Sequence, residues 1–181
     1  MSIRSQSLTA EGLSHLKALM TLSRLSDLNI YYSQCEDPGS FASMGSLTQL
    51  TALTISFSNI NGEVLSHLVG LKQLVSLNLD GCPIDDDGIA ILPSLPKLNY
   101  VFLQSTHITD RGANTLAQCK ALRGIDLNDT QVGSVGFLAL AQLPALEWIA
   151  IGERSVTETD VAQFAKLRPN VKVQVHRLGR E

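Results

Sequence analysis

The chain has 181 residues, 44% of them apolar, with a formal net charge of −3 and a pI near 5.8. That balance gives no general pull towards nucleic acid or an anionic membrane. No apolar run approaches the ~20 residues needed to span a bilayer, and the opening MSIRSQSLTAEG has no uncharged apolar stretch to read as a signal peptide.

From the N-terminus, Ile3 reads as the remnant of a strand, and LTAEGLSHLKALMTL as the back half of a repeat whose helix gained a turn. Leu25, Leu28 and Ile30 open the next unit, which is 25 residues long and so one residue out of step with the later units. Its return segment, SQCEDPGSFASMG, carries Pro38-Gly39, which predicts an irregular turn. Beyond it a step of 24 residues governs the chain. Leu77, Val101, Ile125, Ile149 and Val173 share one register, and Leu79, Leu103, Leu127, Ile151 and Val175 share a second. Leu74, Leu98, Leu122 and Leu146 keep the same step, as do Leu68, Leu92, Leu116, Leu140 and Phe164. VKVQV, residues 171–175, predicts a terminal strand, with Lys172, Gln174, His176 and Arg177 blunting its open edge. A fixed period of this size is the mark of a solenoid, whose single core lengthens with each repeat. Residues 1–181 are therefore expected to form one domain of about seven repeats, with a partial first repeat.

Within a unit the frame is L-x-x-L-x-x-L-x-x-L-x-L-x-x-(C/T)-x-(I/V)-x-x-x-G. The L-x-L core alternates with period two, which predicts a short strand. A turn comes next, where Ser58, Cys82, Thr106 and Thr130 share one position, and then an anchor at Ile60, Ile84, Ile108, Val132 and Val156. Asp85-Asp86, Thr109-Asp110 and Thr157-Glu158 read as helix starts, because hydroxyls and acids suit free N–H groups and the positive dipole end. Gly88, Gly112 and Gly136 recur just inside, where a small residue lets one coil sit tightly on the next.

LVSLNLDGCPIDDDGI from Leu74 and LNYVFLQSTHITDRG from Leu98 resemble the leucine-rich repeat family, in its bacterial and cysteine-containing-like subtypes. The resemblance implies an α/β right-handed solenoid, a horseshoe with a parallel sheet on its concave face and short helices on its convex face. It implies a non-catalytic module for protein–protein interaction. The alternative is the substrate-recognition arm of a larger ubiquitin ligase or effector, by analogy alone.

If the L-x-L leucines face inward, their neighbours face outward in three columns. The first is Asp27, Ala52, Ser76, Tyr100, Gly124, Trp148 and Lys172; the second is Asn29, Thr54, Asn78, Phe102, Asp126, Ala150 and Gln174. The third is Tyr31, Ser56, Asp80, Gln104, Asn128, Gly152 and His176. Tyr100, Phe102 and Trp148 are large aromatics expected at exposed sites, the kind that anchor interfaces, with open space expected beside them at Gly124 and Gly152. Asp126, Asn128 and Asp129 make a polar, acidic patch between them. The expected partner surface is Tyr31, Tyr100, Phe102, Asp126, Asn128, Trp148 and His176, and the expected ligand is a protein or peptide. The rings packing on each other is the competing expectation.

Other chemistry is weakly signalled. His15, His67, His107 and His176 share no spacing, so no metal and no cofactor is expected. Ser14-His15 and Ser66-His67 lack a placed acid, and no phosphate loop or nucleophile elbow occurs, so catalysis is not expected. A small-molecule ligand, nucleic acid and membrane are not expected as partners. Cys35, Cys82 and Cys119 are odd in number and wide in spacing, which predicts reduced buried thiols and a cytoplasmic setting. The basic run Arg168, Lys172, His176, Arg177 and Arg180 is expected to solvate the C-terminal end.

Overall fold

The computed structural model describes residues 2–4, 26–31 and 38–176. The segment LTAEGLSHLKALMTL expected to be helical, Ser14, His15, Cys35, Arg177 and Arg180 lie outside the described residues. Eight parallel strands succeed one another in chain order: β1 (Ser2–Arg4), β2 (Asp27–Tyr31), β3 (Ala52–Ser56), β4 (Ser76–Asn78), β5 (Tyr100–Phe102), β6 (Gly124–Leu127), β7 (Trp148–Gly152) and β8 (Lys172–His176). Ile3 pairs with Ile30, as a strand remnant would. The registers reproduce the outward columns: Ser76 pairs with Tyr100, Tyr100 with Gly124, Gly124 with Trp148 and Trp148 with Lys172. Leu28 pairs with Leu53, so the 25-residue unit is absorbed before β3 and the ladder stays in step.

From β2 to β7, the strands return behind the sheet through short helical segments. These are a 3-10 helix (Pro38–Ser46), α1 (Gly62–Ser66), a 3-10 helix (Gly88–Ser94), α2 (Asp110–Leu116), α3 (Ser134–Ala139) and α4 (Glu158–Leu167). Pro38-Gly39 thus opens a helical turn, with proline at the first position, where its missing N–H costs nothing. Pro93 lies inside Gly88–Ser94 and donates no backbone bond, which suits the tighter, shorter helix there. Thr109 caps α2 by accepting from Arg111 N, and Thr157 with Asp160 forms a reciprocal capping box on α4. Sheet and helices enclose one continuous core, closed between α3 and α4 by Phe137 stacked on Phe164 at 4.6 Å.

Coils meet at the start of the return segments. A Cβ on Gly136 would lie 2.5 Å from Asp110 Oδ1 and 2.8 Å from Asp110 Cα, and one on Gly88 would lie 2.7 Å from Gly62 Cα. Asp110 opens α2 behind its Thr109 cap, as expected, but the acids there also bind across coils. No α-helix starts at Asp85, whose Oδ1 accepts from Gly88 N at 2.9 Å within its own coil. Asp86 instead reaches forward one coil, accepting from Thr109 N (2.9 Å), Thr109 Oγ1 (2.6 Å) and Arg111 Nε (3.3 Å). Asp110 repeats this reach, accepting from Gly133 N (2.7 Å) and Gly136 N (3.0 Å). Burial alone would raise the Asp86 carboxyl, but the bonds from Thr109 and Arg111 outweigh it and hold it below its ordinary range.

Two further features recur with the ladder. The residue closing the strand–turn junction after β3, β4, β5 and β6 has positive φ: Phe57 (52°), Gly81 (68°), Ser105 (55°) and Asp129 (53°). Of these, Gly81 alone adopts that region without a Cβ penalty, and the ring of Phe57 lies against it. At the far end, Leu167 is 57% exposed and Val175 38%, whereas Leu143 and Ile151, one coil earlier, are wholly buried. Among the described residues no later coil covers them.

Gly136→Ala is expected to lower stability by about 1–3 kcal/mol in chemical denaturation, because Asp110 is pushed at its backbone. Gly133→Ser, whose Cβ would meet Asp110 only at 3.6 Å, is expected to keep the wild-type midpoint. A carboxyl with a lowered folded pKa stabilises above the unfolded pKa, and loses that contribution as pH falls through the folded value. Asp86→Asn should therefore melt below wild type at neutral pH and match it in acid.

Candidate functional site

The outward columns are set by strand alternation: with Leu77, Val101, Ile125 and Ile149 buried, their neighbours face the concave side. The three aromatics expected to be exposed there are half-buried. Phe102 and Trp148 lie 5.9 Å apart between ring centroids, tilted by 44°. The indole of Trp148 fills the space over Gly124, where an added Cβ would collide with it. The expectation of open space at Gly124 is therefore corrected: a glycine between two large residues leaves a hollow, and the indole closes it to bury apolar surface. Gly152 does have room, its nearest contact being Asp129 N at 3.7 Å. A depression of about 200 Å³ opens there, lined by Asp129, Thr130, Gly152, Glu153, Arg154 and Ser155.

Beneath the rings the strands carry acids. Asp126 pairs with Phe102 in register and accepts from Asn128 N at 2.9 Å. Burial pushes its carboxyl up, and Asp129 adds to the rise against bonds from Asn128 and the charge of His176. Asp80 accepts from Gln104 N (2.8 Å) and Asn78 Nδ2 (2.9 Å), and burial and Asp126 push it up in the same way. Ser56 Oγ donates to Asn78 Oδ1 at 2.7 Å, extending this polar run to β3. Among the described residues, the ion pairs are Arg111 with Asp86 and Asp87, and Arg123 with Glu147. Neither Asp80 nor Asp126 enters an ion pair within them. Asn128 is only 4% exposed, and its Oδ1 accepts no hydrogen bond.

The structure thus brings Phe102, Asp126, Asn128 and Trp148 together on neighbouring strands, with Tyr100 beside them on β5. His176 stands two strands from Asp126 and acts on it through charge. Tyr31 on β2 is three strands from Phe102, roughly 14 Å away at sheet spacing, so it belongs to a separate part of the face. Sequence reasoning placed Asp80 in an outward column without giving it a role. Its signal was available, because Asp80 and Asp126 lie on adjacent outward columns and both are carboxylates.

Elsewhere the chemistry is structural. Cys82 and Cys119 are unpaired and buried, with thiols pushed up to about 11 and about 12 by burial. Among the described residues no group of three or more His, Cys, Asp or Glu could hold a metal ion, and no helix is long and apolar enough to cross a membrane. Arg168 donates to the carbonyls of Ala141, Leu143, Pro144 and Leu146, so it ties one coil to the previous one.

No family model and no curated protein matches the sequence. Solved structures do. A leucine-rich repeat protein of Leptospira interrogans superposes with a TM-score of 0.66 at 22% identity, covering 86% of this chain and 38% of that one. An internalin (inlF) of Listeria monocytogenes gives 0.60 at 18% identity, covering 91% and 51%. Internalin C2 of the same organism gives 0.59 at 19%, covering 93% and 84%. The chain therefore has the leucine-rich repeat fold, and it spans about half or less of the length of the first two neighbours. The subtype stays with the sequence motif.

A carboxyl with a raised folded pKa favours its protonated form in the fold, so stability is present in acid and is lost as pH rises through the window above the unfolded pKa. Asp126→Asn is thus expected to melt above wild type at neutral pH and to lose that advantage in acid. Paired thermal melts at the two pH values read the difference, which is opposite in sign to that of Asp86→Asn.

Proposed function

We propose that this chain is a non-catalytic module that binds a protein or peptide on its concave sheet. The observation that carries the reading is one patch, in which the Phe102–Trp148 pair lies beside carboxylates that enter no ion pair among the described residues. The stacked coils hold this patch rigidly, so a partner meets it without an ordering cost on this side. Half-buried aromatics beside polar groups match the anchors that dominate binding energy. The fold is consistent with such a role, since repeat solenoids present extended concave surfaces. A cytoplasmic setting is supported by the two buried, unpaired thiols.

The test is a pull-down with wild type beside Tyr100→Ala, Trp148→Ala and the double variant. Each single variant is expected to lose about 1–3 kcal/mol of binding, and the double variant to recover no specific partner. Circular dichroism should show the fold retained, because the inward columns are untouched. Partner retention by all three variants would remove the concave patch from the reading.

A further inference from the structure

We propose that Asp80, Asp126 and Asn128, with the rings of Phe102 and Trp148, form a subsite for one basic side chain of the bound peptide, arginine in preference to lysine. This rests on the concave-face reading and adds what the partner must carry.

The placement comes from the ladder. Phe102 and Asp126 are direct partners across β5 and β6, and Trp148 stands on the other side of β6 with its ring beside that of Phe102. Asp80 lies two residues beyond Asn78, which pairs with Phe102, so alternation puts both carboxylates on the concave face, on the strands either side of Phe102. Asp126 lies close enough to raise the proton affinity of Asp80. The bonds they receive come from neutral donors: Asn128 N to Asp126, and Gln104 N and Asn78 Nδ2 to Asp80. His176 and Asp129 are the other charged groups acting on Asp126, and they oppose one another.

Asn128 gives a second, independent sign. It lies two residues beyond Asp126, so alternation puts both on the concave face, and its side-chain oxygen is buried with no donor. An acceptor left this way has lost its hydration without a replacement donor. The patch therefore offers two carboxylates, a buried amide oxygen and two π-faces. A guanidinium supplies up to five N–H donors and a plane that stacks on rings, while an ammonium supplies three and a point charge. Either would be attracted to the rings as well as to the acids. A carboxylate in the same place would be repelled, and an apolar group would bury Asp126 unpaired.

The experiment pans a random peptide library on the immobilised chain. Enriched peptides are then synthesised in pairs, with arginine or lysine and with citrulline or acetyl-lysine in its place. Each pair is titrated by the anisotropy of a dye on the peptide, with the emission of Trp148, the chain's single tryptophan, tracked beside it in the variants that keep it. The enriched sequences are expected to carry a basic residue, and the neutral twin to bind at least about tenfold more weakly. That gap should close in Asp126→Asn and narrow in Asp80→Asn, both of which keep an acceptor oxygen. Equal affinity of the twins, a gap that survives both variants, or a library that yields no binder overturns the subsite. If the twins bind equally and Trp148→Ala abolishes both, the concave reading stands without it. If binding also survives Trp148→Ala, both readings fall.

Discussion

A parallel ladder can be extended only if each strand is entered from the same side, and that constraint shapes everything behind the sheet in this molecule. Every coil must leave the end of one strand, cross the back and arrive at the start of the next, about 4.8 Å further along. The return path has no room to spread. Gly88 against Gly62 and Gly136 against Asp110 are the places where that tightness is felt at the backbone. Asp86 and Asp110 use the same closeness, each satisfying N–H groups that belong to the next coil. Stability here is a property of neighbours, and single units contribute little alone.

The two faces of the sheet treat acids in opposite ways. Behind it, Asp86 is held ionised by donors from the next coil. On the concave side, Asp80 and Asp126 are partly desolvated, Asp126 adds to the rise of Asp80, and neither enters an ion pair among the described residues. The first arrangement strengthens the fold. The second weakens it, and residues that cost the free protein stability at one spot are what a surface shaped for another molecule contains.

Much of this was legible because the step is constant. Once Leu77, Val101 and Ile125 were set one step apart, the neighbours of each were fixed, and Tyr100, Gly124 and Trp148 fell into one column as they do in the sheet. The pattern could not show how side chains of unequal size settle within a column. Gly124 read as open space because spacing carries no volume, and Trp148 leaned into it. Asp86 read as a local helix start because a linear motif cannot tell an acid that caps its own turn from one that caps the next. Asn128 was placed on the correct face, but the isolation of its oxygen depends on the packing around it.

The last rung gives the solenoid a direction in time. Leu167 and Val175 hold positions that are sealed in the preceding coil, and they remain partly open to water. A one-dimensional stack opens where its nearest-neighbour contacts are fewest. Among the described residues, β8 therefore exchanges its amide protons before β7 and β6 do. The aromatic patch, which begins with Trp148 on β7, sits one strand in from that rung, so the first opening passes without reaching it.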